Sequence, residues 1–299
     1  MIATVIIDNF WHFFTTSAPW LLLGFLLAGL LKEFVPQKAL LRFVGTNNVR
    51  SVATAALIGA PLPICSCGVI PTAMALHKQG ASRGATVAFL IATPAISVTA
   101  IILTVAMLGW QFAGVYIATA LVVAIGTGLI TLWVFRKADY RDNLLRISQL
   151  KIPTYTPSKG FRQKVKAAIK YGFIDMLGEV GGLIVLGLLI ASIINTVLPS
   201  DIMATLLGGS FWTYIIMALV AIPIYICSTA AVPMMALLVA SGMAPAGALI
   251  FLVLGPAVNI ATIMAARKEM GSKTTIVYIG GLIILTFICA AIFNVLGMI

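Results

Sequence analysis

Cysteines and small hydroxyl-bearing residues are the side chains of this sequence best suited to chemistry. They form two short segments, Cys65-Ser66-Cys67 and Cys227-Ser228-Thr229. Thiolates bind soft, thiophilic ions in preference to magnesium or calcium. Three cysteines from two segments could therefore surround one soft solute. A packing role is an equal alternative, because free cysteine also behaves as a small hydrophobe; Cys289, which stands alone, is assigned to packing.

Both segments lie where a helix should be interrupted. Proline removes a backbone donor and glycine permits positive φ. The predicted structural breaks are Pro61, Pro63, Gly68, Pro71, Pro94, Pro223, Pro233 and Pro256. At membrane depth, irregular backbone is tolerated only where it is packed in protein or lines a polar cavity, and transporters hold their substrates at such breaks.

Further polar residues follow two of these prolines. Ser97 and Asn259 stand at equivalent positions after Pro94 and Pro256. A helix that restarts after a break presents unpaired amides, which suit an anionic or polar ligand. The predicted substrate-binding residues are Cys65, Ser66, Cys67, Thr93, Ser97, Cys227, Ser228, Thr229 and Asn259, with Thr99 nearby.

Asp175 and Glu179 are the acidic residues nearest to a membrane span. They are four residues apart and hence on one helix face. Ionisable groups inside a bilayer are functional candidates, and a carboxylate here could carry a coupling proton. A headgroup-level pairing with Lys166 and Lys170 explains them equally well.

The elements that position these residues are membrane helices. The 299-residue chain is 61% hydrophobic and 9% charged, with a mean hydropathy of +1.12. This composition predicts an all-α polytopic membrane protein. The formal net charge is +11, and the basic residues lie in short loops between the apolar segments. The positive-inside rule explains this distribution, so nucleic-acid binding is not expected. No removable signal peptide is expected at the N-terminus.

An internal repeat organises the chain. When the sequence is shifted along itself so that Pro61 falls on Pro223, six pairs of identical motif residues match without a gap. They include Cys65 with Cys227 and Pro94 with Pro256. This repeat shift predicts a first transmembrane repeat at 1–135, a basic cytoplasmic loop at 136–172 and a second repeat at 173–299. The loop is expected to be helical near 160–172 and otherwise a flexible linker.

The charge of the loops favours an inverted arrangement of the two repeats. If the segments 49–78 and 211–240 are re-entrant hairpins, every basic loop lies inside and every uncharged loop outside. Each repeat then has three transmembrane helices and one hairpin, and the odd number of crossings inverts one repeat relative to the other. Eight full spans are the alternative, although they would leave the basic loop of 32–50 outside.

The motif Pro63-Ile64-Cys65-Ser66-Cys67-Gly68-Val69-Ile70-Pro71, followed by Ala92-Thr93-Pro94, resembles the predicted permeases of the ArsP and YraQ type. The resemblance extends over nearly the whole chain. It implies a prokaryotic inner-membrane permease, and for some members the efflux of trivalent organic arsenicals. The Cys65 and Cys67 motif is general to the family and does not single out the arsenical exporters.

The expected function is that of a secondary active carrier exporting a small thiophilic solute, such as a trivalent organoarsenical, by proton antiport. No nucleotide-binding loop, metalloprotease helix or hydrolase elbow is present, so no enzymatic activity, cofactor or metal is predicted. One alternative is a carrier for a sulfur-containing or other small anion, with structural cysteines. Another is a membrane subunit or sensor that acts through the basic loop. The expected partners are a small-molecule substrate and the lipid bilayer, with homo-oligomerisation left open.

Overall fold

A computed structural model describes residues 48–62, 66–78, 80–149, 211–222, 228–240 and 242–296. All regular structure in these residues is helical. In chain order the helices are α1 Val49–Gly59, α2 Ser66–Lys78, α3 Arg83–Ala95, α4 Val98–Gln149, α5 Phe211–Ala221, α6 Ser228–Ala240, α7 Pro245–Ala257, α8 Ile260–Met270 and α9 Ser272–Val295.

The described helix boundaries recur along the chain. Under the repeat shift, the first and last residues of α1, α2 and α3 fall on those of α5, α6 and α7. The positive-φ glycines recur at the same spacing: Gly80 (φ 109°) with Gly242 (φ 100°), and Gly109 (φ 88°) with Gly271 (φ 85°). Local structure therefore repeats at the spacing at which the sequence motifs repeat.

Helices α3 and α7 form the centre of the described structure. All residues from Gly84 to Ala95 and from Ala246 to Ala257 are buried. A helix that is apolar all round belongs in the interior. The two helices contact each other, while α3 also packs on α1, α2 and α4, and α7 packs on α5, α6 and α9.

Small residues allow the central helices to approach closely. A Cβ added at Gly84 of α3 would lie 2.5 Å from the carbonyl oxygen of Gly128 on α4. Such contacts are typical of helices in membranes, where close van der Waals packing replaces the hydrophobic drive between helices.

Two described helices are long and apolar enough to cross a membrane, Val98–Arg136 of α4 and Ser272–Val295. Pro245–Ala257 together with Thr262–Met270 makes a third candidate span, bent by 51° at its break. Trp110 and Trp133 are largely exposed. They are about 34 Å apart along the helix, as expected for anchors at two membrane interfaces.

Helix α4 has one irregular residue and an unexpected extension. Gly109 is non-helical (φ 88°, ψ 164°), so the turn expected near residues 108–111 falls there. The helix then continues to Gln149. Residues 136–149, expected to be a flexible linker, are therefore helical. The reason is local, since this stretch has no glycine or proline to end the helix.

Candidate functional site

The first half contains a helix break just after Pro94. The Ile96 amide still donates to the Ala92 carbonyl at 2.9 Å, but Ser97 lies outside both α3 and α4. Proline supplies no amide for the helix. The Ser97 hydroxyl then accepts a hydrogen bond from the Ala100 amide at 3.3 Å. Ser97 is thus the N-cap of the helix that resumes after the break.

The second half contains an equivalent break after Pro256. Asn259 caps α8: its Oδ1 accepts from the Thr262 amide at 2.8 Å, and the Thr262 hydroxyl accepts from the Asn259 amide at 2.8 Å. This reciprocal pair is a capping box. The side-chain NH2 of Asn259 takes no part in this cap and can donate a hydrogen bond to a solute.

One contact joins the first break to the second half of the chain. The hydroxyl oxygens of Ser97 and Ser228 are 3.2 Å apart, and both side chains are buried. Ser228 is the first residue of α6 and follows Cys227 in the sequence. Two residues that the sequence assigned to one site from distant segments therefore meet.

The predicted threonines lie on either side of the first break. Thr93 is fully buried, and its hydroxyl donates to the Phe89 carbonyl at 2.8 Å. A Cβ added at Gly59 of α1 would lie 2.5 Å from the Thr93 Oγ1, so the two helices touch at this point. Thr99 is exposed, with its hydroxyl 3.4 Å from that of Ser97.

Several predicted residues fall outside the described part of the chain. They are Pro63, Cys65, Asp175, Glu179, Pro223 and Cys227. Ser66 and Cys67 begin α2 and Thr229 lies in α6, with only their backbone described. Within the described ranges, no group of three or more His, Cys, Asp or Glu residues could hold a metal ion.

The residues predicted to break helices differ in their position: some lie at helix ends and others lie inside helices. Pro61 lies just beyond the end of α1, and Pro94 and Pro256 lie in the last turns of α3 and α7. Gly68 and Pro71 lie inside α2, and Pro233 lies inside α6, and these helices continue through them. Such residues are tolerated in membrane helices, because neighbouring groups satisfy the freed backbone.

Two tyrosines that lie beside the breaks were not predicted from the sequence as functional residues. The Tyr116 hydroxyl donates to the Ala95 carbonyl, and the Tyr278 hydroxyl donates to the Ala257 carbonyl. Both tyrosines are buried. The signal was present in the sequence, because the repeat shift sets one tyrosine on the other.

Comparison with known proteins identifies relatives over nearly the whole chain. The ArsP_1 family, described as predicted permeases, matches residues 2–295. UPF0718 protein MJ0584 of Methanocaldococcus jannaschii is 26% identical, over 92% of this chain and 91% of that protein. UPF0718 protein YraQ of Escherichia coli is 24% identical, over 84% and 70% respectively.

A Streptococcus mutans protein named "Putative two-component membrane permease complex subunit" is 23% identical, over 88% of this chain and 86% of that protein. No solved structure matches. The family match covers nearly every residue of a chain whose described helices are apolar and interrupted at prolines. The chain is therefore a membrane protein and belongs to the ArsP_1 family of predicted permeases.

Proposed function

We propose that this protein is a secondary active carrier that exports a small thiophilic solute, such as a trivalent organoarsenical, by proton antiport. The observation that carries the proposal is the contact between Ser97 and Ser228. This contact joins the break between α3 and α4 to the first residue of α6, the helix that follows Cys227. Interrupted helices that meet inside a membrane protein are the usual setting of a transported solute.

The chemistry of the site follows from its donors. Cys65, Cys67 and Cys227 supply thiols near the starts of α2 and α6. In a trivalent methylarsenical, CH3As(OH)2, each As–OH group can react with a cysteine thiol: the As–O bond breaks, an As–S bond forms, and the hydroxide leaves with the thiol proton as water. Addition of water reverses the step and releases the solute. Ser97 and Asn259 at the two breaks offer hydrogen bonds to the arsenic-bound hydroxyls before these are exchanged.

We further propose that the two halves are inverted repeats, each with three spans and a re-entrant hairpin. The recurring helix boundaries support the repeat, and the charge of the loops favours its inversion. Helices α1 and α2 are about 16 and 20 Å long, and each is too short to cross a hydrocarbon core of roughly 30 Å alone. The break between them suits a hairpin. With this topology the positive-inside rule favours a cytoplasmic central loop. The proposed location is the prokaryotic inner membrane, as the family resemblance implies.

Unequal packing of equivalent helices supports alternating access. Helix α6 of the second half packs extensively on α4, whereas its counterpart α2 meets α8 only narrowly. Under inverted symmetry, exchanging these two arrangements would open the site to the other side of the membrane. Asp175 and Glu179, which lie outside the described residues, are the proposed carriers of the coupling proton.

The test is uptake of the trivalent methylarsenical into everted membrane vesicles, with and without a pH gradient. We expect the wild type to accumulate it only with the gradient, and Cys65→Ser, Cys67→Ser and Cys227→Ser to lose accumulation. Cys289→Ser is the matched control, because Cys289 is a buried free thiol on α9 that the proposed site does not use. Wild-type uptake equal to that of empty vesicles, with folded protein present, would exclude this substrate.

A second candidate is a permease subunit that needs a partner. It is favoured by the Streptococcus mutans relative that is named as a complex subunit. The basic loop, whose first residues extend α4 as a helix to Gln149, is the proposed contact. Transport in native vesicles that disappears in proteoliposomes of the pure chain would support the subunit, and equal transport in both would exclude it.

A further inference from the structure

The two helix breaks leave backbone carbonyls that the helices cannot satisfy. Ala95 and Ala257 are the last residues of α3 and α7, and the next helices, α4 and α8, begin only after the break. Both carbonyls lie in the protein interior, since the residues before both breaks are buried. A carbonyl left unpaired in such an interior carries a free-energy penalty comparable to a lost hydrogen bond.

Both carbonyls are satisfied in the same way. Tyr116 from α4 donates to Ala95, and Tyr278 from α9 donates to Ala257. The repeat shift sets one donor on the other and one acceptor on the other. One arrangement therefore occurs twice, once at each break. Packing alone would not explain why the buried ring carries a hydroxyl at both positions.

We propose that Tyr116 and Tyr278 are positioning residues for the solute site, which fix the backbone of the two breaks without touching the solute. The inference rests on the proposed carrier function. Ser97 and Asn259 each follow the anchored alanine by two residues. Holding that carbonyl fixes the direction in which the chain leaves the helix, and so the place of the Ser97 hydroxyl and the Asn259 amide.

The two breaks depend unequally on their tyrosines. At the second break, Thr262 completes a reciprocal cap with Asn259: its hydroxyl accepts from the Asn259 amide, and its own amide donates to Asn259 Oδ1. The equivalent residue at the first break is Ala100, which has no hydroxyl. The cap at the first break therefore lacks the reciprocal side-chain hydrogen bond, and loss of the Tyr116 hydroxyl should have the larger effect.

Amide hydrogen exchange on the full-length protein in lipid nanodiscs tests the proposal. Tyr116→Phe should speed exchange in peptides covering residues 95–101 by about tenfold, because a buried carbonyl loses its donor, and leave residues 257–263 unchanged. Tyr278→Phe should produce the reverse pattern with a smaller factor. Thr131→Val and Thr286→Val are controls, since each removes a buried hydroxyl that bonds to a carbonyl within a regular helix away from both breaks.

The outcomes separate a local role from a general loss of stability. Unchanged exchange at both breaks would overturn the proposal, as would faster exchange throughout the helices. Uptake of the methylarsenical should show a KM raised by about threefold or more with Vmax retained, the pattern of weakened solute binding; an unchanged KM would overturn the functional part. If wild-type vesicles accumulate no methylarsenical, the proposed substrate fails, while the exchange pattern still decides the positioning role.

Discussion

Gly59 and Thr93 form a close contact between α1 and the broken helix α3. The added Cβ at Gly59 would come within 2.5 Å of the Thr93 hydroxyl oxygen and 3.1 Å of the Phe89 ring. The equivalent positions in the second half hold Ala221 and Gly255, so the larger residue stands on the other helix. Thr93 therefore has a packing role beside its predicted solute role, and the two can be separated by mutation.

Gly59→Ala should lower the free energy of unfolding by about 1–3 kcal/mol, because the new methyl group overpacks the contact with Thr93. The double variant Gly59→Ala/Thr93→Ala should recover most of this loss, since the second change removes the clashing oxygen. The measurement is the thermal denaturation midpoint in detergent.

Gly255→Ala is the control for this pair. Its added Cβ would meet only the Phe251 ring, at 3.9 Å, which is ordinary van der Waals contact. The control should therefore leave the midpoint unchanged or raise it slightly, because alanine favours the helix. A double variant as unstable as Gly59→Ala alone would show that Thr93 is not the source of the clash.

At the scale of the helices, two changes of chain direction occur at glycines, one within α4 and one between α8 and α9. Gly109 has φ 88° and ψ 164°, and Gly271 has φ 85° and ψ 157°. This region of conformational space is essentially reserved for glycine. A Cβ at either position would meet nothing within 4 Å, so steric contact plays no part. The backbone conformation alone explains the glycine.

Gly109→Ala and Gly271→Ala should each destabilise the protein by about 1–3 kcal/mol through backbone strain. Gly114→Ala is the matched control, because it also meets nothing within 4 Å but stands in a regular part of α4. Chemical denaturation in mixed micelles would measure the difference. Equal stability of Gly109→Ala and Gly114→Ala would mean that the turn relaxes without strain.

At the scale of the whole molecule, several pairs of packed helices hold the described parts of the two halves together. Helix α3 meets α7, and α4 packs along α9. A Cβ at Gly281 would lie 3.1 Å from the Thr127 methyl group, which shows how closely the last pair approaches. Among the described residues, the hydrogen bond between Ser97 and Ser228 adds a polar link at the site itself.

Ser97→Ala should cost about 1 kcal/mol, because it removes the cap of α4. Combined with Ser228→Ala in a double-mutant cycle, it should show a coupling of about 0.5–1.5 kcal/mol, the net contribution of a typical hydrogen bond. Thermal unfolding of the four proteins gives this value. Ser97→Ala paired with Thr286→Val should be additive, and additivity in the Ser97 and Ser228 cycle as well would rule out an energetic link there.

The sequence alone determined the local features of this protein. Composition predicted a helical membrane protein, and Pro94 and Pro256 marked breaks whose next polar residues, Ser97 and Asn259, do lie between helices. These features depend on residues within one or two turns of each other. The same local rules failed at Pro71 and Pro233, which the chain accommodates inside helices.

Only the tertiary structure decided which distant groups meet. The contact of Ser97 with Ser228 and the donation from Tyr116 to Ala95 join residues on different helices. A sequence shows that a break leaves polar groups to be satisfied, but the donor that satisfies them is chosen by how the helices pack. In an apolar interior an unpaired polar group is costly, so packing that brings a donor to the Ala95 and Ala257 carbonyls is favoured.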